Sequence, residues 1–334
     1  MIRLSVIIPV FGVESYISRC LDSVFKINLP ESDYEVICID DCSTDSSATI
    51  INGYKDYHHN LTLLRHHSNK RQGGARNTGI RFAKGEYIVF VDADDRIPIY
   101  DLPGLLDYMD ENDLELLLGA AEVHKRDGEV LRWGNSPITE SRIMTGPELF
   151  TEEYVHRIAF GVVWMGIYSI NLVRRITPFL ENVLYEDTDW TLRCAYNATL
   201  LQYKPIVVYN YMENDGSTTT SISISKLIAR VKQGLRIWNW AQTTSINHND
   251  VVTVAEDYCT WNLKCLKSLK FFSHSDRAFF YHSISNEEIA IMKQWRMGGK
   301  WMRIVKHPYA SRIELFITSP LYRFARYMKK KINN

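Results

Sequence analysis

The stretch Tyr87–Asp95, YIVFVDADD, constrains this chain more than any other: five apolar residues read as a buried strand, and they run straight into Asp92, Asp94 and Asp95. Crowded carboxylates repel one another unless a cation or hydrogen-bond donors compensate them, and open α/β sheets bind ligands at the carboxyl ends of their strands. A divalent metal is the simplest compensation. All-oxygen ligation suits Mg2+ or Mn2+, and Mg2+ usually takes one or two protein carboxylates and leaves the rest to water and phosphate. Taken alone, the acids would equally suit a solvated Asp-rich turn.

The residues leading to that strand repeat one unit. Leu4 to Val10 is a short apolar run, followed by Val13 to Phe25 with Ile17, Cys20, Leu21 and Val24 at helical spacing. Tyr34 to Ile39 is the next strand; it ends in Asp40-Asp41, and Ser43, Thr44 and Asp45 offer helix caps before Ser46 to Tyr57. Leu61 to Arg65 is the third strand, Gln72-Gly73-Gly74 reads as the turn after it, and Ala75 to Ala83 as a helix closed by Gly85. Four strands joined by three helices predict a largely parallel, Rossmann-like, doubly wound α/β sheet. The acids ending the second and fourth strands would then share one edge, over one crevice. A helix-capping turn is the plainer account of Asp40 and Asp41.

Beyond the acids the pattern predicts a helix over Leu105–Met109, an extended run from Leu114 to Ala120, and a hairpin about Asp127-Gly128. A helix opens at Thr145-Gly146-Pro147 and runs to about Arg157, another follows Glu186-Asp187, and Leu201 to Tyr211 is strand-like. The uncharged run Ile158 to Val173 is too short and too broken by glycine for a spanning helix and reads as core. The loop ENDGSTTTS, residues 213–221, is polar, and from Ser223 helical spacing continues almost to the end. A boundary is expected near Ser221, between residues 1–221, with a nucleotide-binding half of about 1–100 and an acceptor half of about 101–221, and a helical region over 222–334.

At 334 residues, with 46% hydrophobic and 23% charged, the chain is long enough for one large or two modest domains. Its six cysteines lack metal-finger spacing, and Met1 to Phe11 contains Pro9 and no small-residue cleavage site, so a first strand in a reduced, cytoplasmic chain is expected. Formal charge is zero overall, yet from Trp301 onward eight Lys or Arg face one acid, Glu314. Such a basic amphipathic tail can lie against an anionic bilayer, here the inner face of the cell membrane; the alternative is a solvated terminus. Nothing in it resembles a nucleic-acid module.

Between the two acidic strand ends lies KRQGGARN, residues 70–77. Its glycines would let backbone approach a ligand, its helix amides attract phosphate, and Arg71 or Arg76 supply charge-assisted hydrogen bonds; the alternative is that Arg76 and Asn77 tie the loop to the acids. It matches neither a Walker loop nor the dinucleotide fingerprint. Glu186-Asp187, just ahead of a helix, is either a cap or a general base able to reach an acceptor hydroxyl.

In this order, SVIIPVFGVESYISRCLDSV, EVICIDDCSTDSS, QGGARNTGI, GEYIVFVDADD, LYEDTDW and DGSTT resemble the family 2 glycosyltransferases, inverting enzymes of the GT-A fold found in bacterial surface-polysaccharide synthesis. The resemblance covers Leu4 to about Ser221. It implies that Pro9, Phe11, Asp40 and Asp41 line a pocket for base and ribose, and that Arg71 and Arg76 border the diphosphate and position the acids. Asp92 and Asp94 become a DxD pair toward ribose and metal, followed by Asp95. Asp187, or else Glu186, becomes the base, and Ser217 and Thr218 contact diphosphate or acceptor. The implied partners are Mn2+ or Mg2+, a nucleotide-sugar donor such as a UDP-sugar, and a saccharide or lipid-linked saccharide acceptor. Two departures stand out: Phe11-Gly12 where the family commonly has Tyr-Asn, and Cys42 where it usually has Gly. A sugar-phosphate nucleotidyltransferase would carry its glycine-rich loop after the first strand, where this chain has Phe11-Gly12-Val13. A non-catalytic protein on a degenerate domain would be expected to have lost some of these costly acids.

Overall fold

The computed structural model describes residues 1–98, 100–133, 141–151, 161–214 and 223–295. Compactness divides the chain into one unit of residues 1–218 with 245–251 and another of 219–244 with 252–334.

The first unit carries one eight-stranded sheet. Its first four strands are β1 (Leu4–Val10), β2 (Tyr34–Asp40), β3 (Leu61–Arg65) and β4 (Tyr87–Phe90), with helices α1 (Ile17–Val24), α2 (Ser47–Tyr54) and α3 (Arg71–Phe82) between them. All pair in parallel, in the order β3-β2-β1-β4. Every residue of β1 and β2 is buried, which is why both read as unbroken apolar runs rather than alternating ones. Two of the buried exceptions, Ser5 and Glu35, satisfy each other: Ser5 Oγ donates to Glu35 Oε1 at 2.7 Å and accepts from Gly85 N–H at 2.9 Å.

The expected turn at Gln72-Gly73-Gly74 is instead the first turn of α3, which starts at Arg71. Glycine's low helix propensity favours a turn, and tertiary packing overrides it. A Cβ at Gly73 would sit 2.3 Å from the Leu180 carbonyl oxygen, so glycine serves close packing there.

Past β4 come α4 (Leu102–Glu111), β5 (Leu116–His124), β6 (Val130–Trp133), α5 (Gly146–Leu149), β7 (Gly166–Ser169), α6 (Ile170–Arg175), α7 (Glu186–Asn197) and β8 (Leu201–Met212). The expected hairpin is β5–β6, with Gly128 left-handed at φ +89°. β7 inserts antiparallel between β4 and β5, and β8 runs parallel along β5. The sheet is therefore mixed beyond its parallel first half. β7 lies within the apolar stretch read as core, and its four residues among buried neighbours show no periodicity to mark a strand. The helix opening at Gly146 ends at Leu149, and its expected extension falls outside the described residues.

In the second unit α8 (Ile224–Ala241), α9 (His248–Lys264) from residue 252 on, α10 (His274–His282) and α11 (Asn286–Met292) supply a core of its own. Leu227, Val231 and Leu235 of α8 recur every fourth residue on its buried stripe. No helix among the described residues is long and apolar enough to cross a membrane. The basic tail and its expected bilayer contact lie outside the described residues.

Gly85 enters β4 so tightly that a Cβ would meet Ser5 N at 2.5 Å and Leu4 C at 2.6 Å, whereas Gly53 in α2 has nothing within 4 Å. Gly85→Ala should therefore cost about 1–3 kcal/mol by denaturant unfolding. Gly53→Ala, measured in parallel, should add about 0.5–1 kcal/mol.

Candidate active site

β4 ends at Phe90, and the acids form a turn in which Asp95 N–H donates to Asp92 O at 3.0 Å. Asp95 faces inward. It is 1% exposed and accepts from Tyr209 OH and from Met212 N–H, both at 2.7 Å. Burial, reinforced by Asp94 and Asp92, pushes its carboxyl up to about 8. The third acid is thus a tie to β8. Tyr209 completes that tie: its hydroxyl also accepts from Asp92 N–H at 3.1 Å, and its ring stacks on Trp164 at 4.4 Å. Neither aromatic was a sequence candidate, because a tyrosine and a tryptophan in apolar runs look like ordinary core.

Asp94 is held by its main chain, where O accepts from Arg19 Nη2 at 2.6 Å and from Asn214 Nδ2 at 3.3 Å. Its Oδ2 accepts from Asn214 Nδ2 at 3.2 Å. Burial, and then the nearby charge of Asp92, raises the Asp94 carboxyl above its usual range. A cation there would offset the repulsion from Asp92 that contributes to this rise. Among the described residues no group of three or more His, Cys, Asp or Glu is gathered for a metal. Two neighbouring hard carboxylates nonetheless fit a Mg2+ or Mn2+ ion completed by a ligand's phosphates and water. Asp92 and Asp94 would hold it.

Arg76 of α3 lies beneath the acids at 1% exposure, with Nη2 donating to Asp92 Oδ1 at 2.8 Å and Nη1 to Glu186 Oε1 at 2.6 Å. Its charge is secured despite burial by Asp92 and Glu186. It does not border the cleft as expected, because both its forks are committed below it. The same helix seats the segment before α7. Asn77 donates to Phe179 O at 2.8 Å and accepts Phe179 N–H at 2.9 Å, Gly73 abuts Leu180, and Asn182 N–H reaches Lys70 O. QGGARN is thus largely a docking face for the chain entering α7.

α7 starts at Glu186 itself, after Tyr185 in the left-handed region at φ +58°. Glu186 is 4% exposed and locked to Arg76; burial raises its carboxyl while Arg76 opposes the rise. Asp187 is partly exposed, and no described side chain donates to its carboxylate. Burial, then the charge of Glu186, pushes it up to about 7. That value suits proton exchange near neutrality.

A cleft of about 560 Å³ opens beside these groups, and Pro9, Phe11, Asp41, Arg71, Asp94 and Glu186 are among the residues lining it. Asp187 and Asp92 adjoin its lining without being part of it. Asp40, expected on the wall, is fully buried: it accepts Ser43 N–H at 2.9 Å and pairs with Arg65 Nε at 3.0 Å. Strand residues ending in two acids alternate faces, so only Asp41 reaches the opening. Ser217 and Thr218 lie outside the described residues.

The turn after β1 holds its amides internally. Gly12, Val13 and Glu14 N–H donate to Ser43 Oγ, Ser47 Oγ and Asp45 Oδ2 at 3.0–3.2 Å, which also delays α1 until Ile17. Those three amides are thus not free for a phosphate-binding loop there, as a nucleotidyltransferase would need. Cys42 adopts φ +69°, the conformation that explains why glycine is usual at that place.

The glycosyl transferase family 2 model matches residues 5–173. A poly(ribitol-phosphate) beta-glucosyltransferase of Bacillus spizizenii is 44% identical over 118 residues, 35% of this chain and 19% of the relative. The uncharacterized glycosyltransferase YibD of Escherichia coli is 31% identical over 222 residues, 65% of this chain and 63% of the relative. The chain thus spans less than two thirds of the length of these relatives. Among solved structures, Staphylococcus aureus TarS 1-349 in complex with UDP-GlcNAc superposes with a TM-score of 0.68 at 20% identity, covering 94% of this chain and 91% of that one. The mannosyltransferase PcManGT from Pyrobaculum calidifontis, in complex with GDP-Man and Mn2+, gives 0.54 at 16% identity, covering 93% and 86%. The matched model takes in the sheet edge with its acids and α3, and the chain belongs to glycosyl transferase family 2.

Proposed function

We propose that this chain is an inverting glycosyltransferase that moves a sugar from a nucleoside diphosphate sugar, UDP-linked, to a hydroxyl of a surface polysaccharide or its lipid-linked precursor. The observation that carries the reading is Asp187, a carboxylate pushed up to about 7, free of side-chain donors among the described residues, beside a glutamate that Arg76 pairs with. Family membership and the relatives' names support it, the poly(ribitol-phosphate) beta-glucosyltransferase favouring a polyol-phosphate polymer as acceptor.

In this mechanism Asp187 takes the acceptor hydroxyl proton as that oxygen bonds to the anomeric carbon. The bond from that carbon to the diphosphate oxygen breaks, and its electron pair leaves on the diphosphate. Attack from the face opposite the leaving group inverts the configuration. Asp92 and Asp94 would hold a divalent cation whose chemistry is to offset charge on the departing diphosphate. Arg71, in the cleft wall, adds positive charge on the donor side. Arg76 keeps Asp92 and Glu186 apart from a costly mutual repulsion and fixes α7 against the acidic turn.

Asp187→Asn should lower transfer by about 10²–10⁴-fold while leaving circular dichroism and UDP affinity unchanged; normal turnover in that variant would remove the assignment. Because the base works deprotonated, wild-type kcat/KM should be flat above about 7 and fall roughly tenfold per pH unit below it. Asp94→Asn should weaken Mn2+ binding, read by electron paramagnetic resonance, with little change in melting temperature. Arg76→Met leaves Glu186 buried without its cation and should cost about 3–5 kcal/mol. That loss should be smaller at pH 5 than at pH 8 in denaturant titrations, since a carboxyl whose folded value is raised loses stability as pH rises through it.

A further inference from the structure

Asp41 is the cleft carboxylate whose geometry is most completely determined, and a histidine absent from the motifs determines it. His66 follows β3, with its N–H bonded to Asp40 O at 2.9 Å and its side chain only 10% exposed. Its ring spans two groups: Nδ1 lies 2.7 Å from Asp41 Oδ1 and Nε2 2.9 Å from Thr78 Oγ1. Thr78 Oγ1 also accepts from Arg81 Nη2 at 2.7 Å.

The proton positions follow from what each group can do. A carboxylate only accepts, so Nδ1 carries the hydrogen given to Asp41 Oδ1, and Thr78 Oγ1 holds the far side of the ring at Nε2. Lys70 N–H adds a second donor to the same oxygen, Oδ1, at 2.8 Å. The other oxygen, Oδ2, is buried and has no partner among the described residues, and Asp41 lines the cleft. A buried acceptor without a donor is costly to keep, and here both protein donors go to Oδ1 instead.

We propose that His66 is a positioning residue for donor selection: with Lys70 N–H it occupies Oδ1 and so leaves Oδ2 of this cleft-lining carboxylate as a pure acceptor for a ligand, so that the site takes a nucleobase offering an N–H edge. Uracil presents N3–H there. Cytosine presents a ring-nitrogen lone pair, which a carboxylate repels. This rests on the nucleotide-sugar reading above and adds which residue enforces the choice of base. His66 itself lies outside the cleft lining and acts through Asp41.

Titration calorimetry with UDP and with CDP, in the same Mg2+ buffer, tests this on wild type and three variants. Asparagine places its amide N–H near the site of Nδ1, and glutamine near that of Nε2, so His66→Asn keeps the bond to Asp41 while His66→Gln and His66→Ala lose it. Wild type should bind UDP about tenfold or more tightly than CDP, the worth of one charge-assisted hydrogen bond. His66→Asn should retain most of that ratio. His66→Gln and His66→Ala should bring it to within about threefold, raising the donor KM with kcat little changed. Equal melting temperatures for the Asn and Gln variants would separate loss of selectivity from loss of fold. A UDP/CDP ratio unchanged in His66→Gln and His66→Ala overturns the role of His66 alone. A wild type that binds UDP and CDP equally overturns base selection by Asp41, and one that binds neither nucleotide overturns the nucleotide-sugar reading and this inference with it.

Discussion

The buried guanidinium of Arg76 is the interaction on which the site depends. It joins Asp92 at the end of β4 to Glu186 at the start of α7, two acids far apart in sequence that would otherwise repel in a space with little water. Placing a charge there is expensive unless it is paired and hydrogen-bonded on both sides, and Arg76 is. Its planar fork serves two carboxylates at once, which a lysine could not do. Phe179 supports it from one side, with Arg76 over its ring and Trp190 stacked on it at 4.1 Å.

Around that pair the structure separates acids that look alike. Asp92 is paired with Arg76, Asp94 is raised by burial and by the charge of Asp92, Asp95 is raised by burial and its acidic neighbours while Tyr209 and Met212 hold it in place, Glu186 is held by Arg76, and Asp187 has no side-chain donor among the described residues. Neighbouring acids at each place thus end up in different surroundings. Burial and donor count make the difference, because the residue types are the same. In Asp40-Asp41 a similar division appears: one carboxylate is engaged by Ser43 and Arg65, while the other, on the cleft wall, has one oxygen without a partner among the described residues.

Local signals carried much of this. The four parallel strands were legible because each is a dense apolar run, and their acidic ends because polar residues interrupt such runs abruptly. β7 escaped because four buried residues carry no period, and the α3 glycines misled because their constraint is a carbonyl that arrives from Leu180. Tyr209, Asn214 and His66 escaped for a related reason. Each is an ordinary residue type whose partner is distant in the chain, so no spacing announces it.

The amino-acid sequence by itself determined the doubly wound half-sheet, the edge at which the acids gather and the family, since these depend on composition and order over short windows. Tertiary structure decided which acid is buried, which is paired and which has no side-chain donor among the described residues. Those outcomes depend on desolvation and on donors supplied from β8, α3 and the chain after β3, and neither is defined until the elements pack.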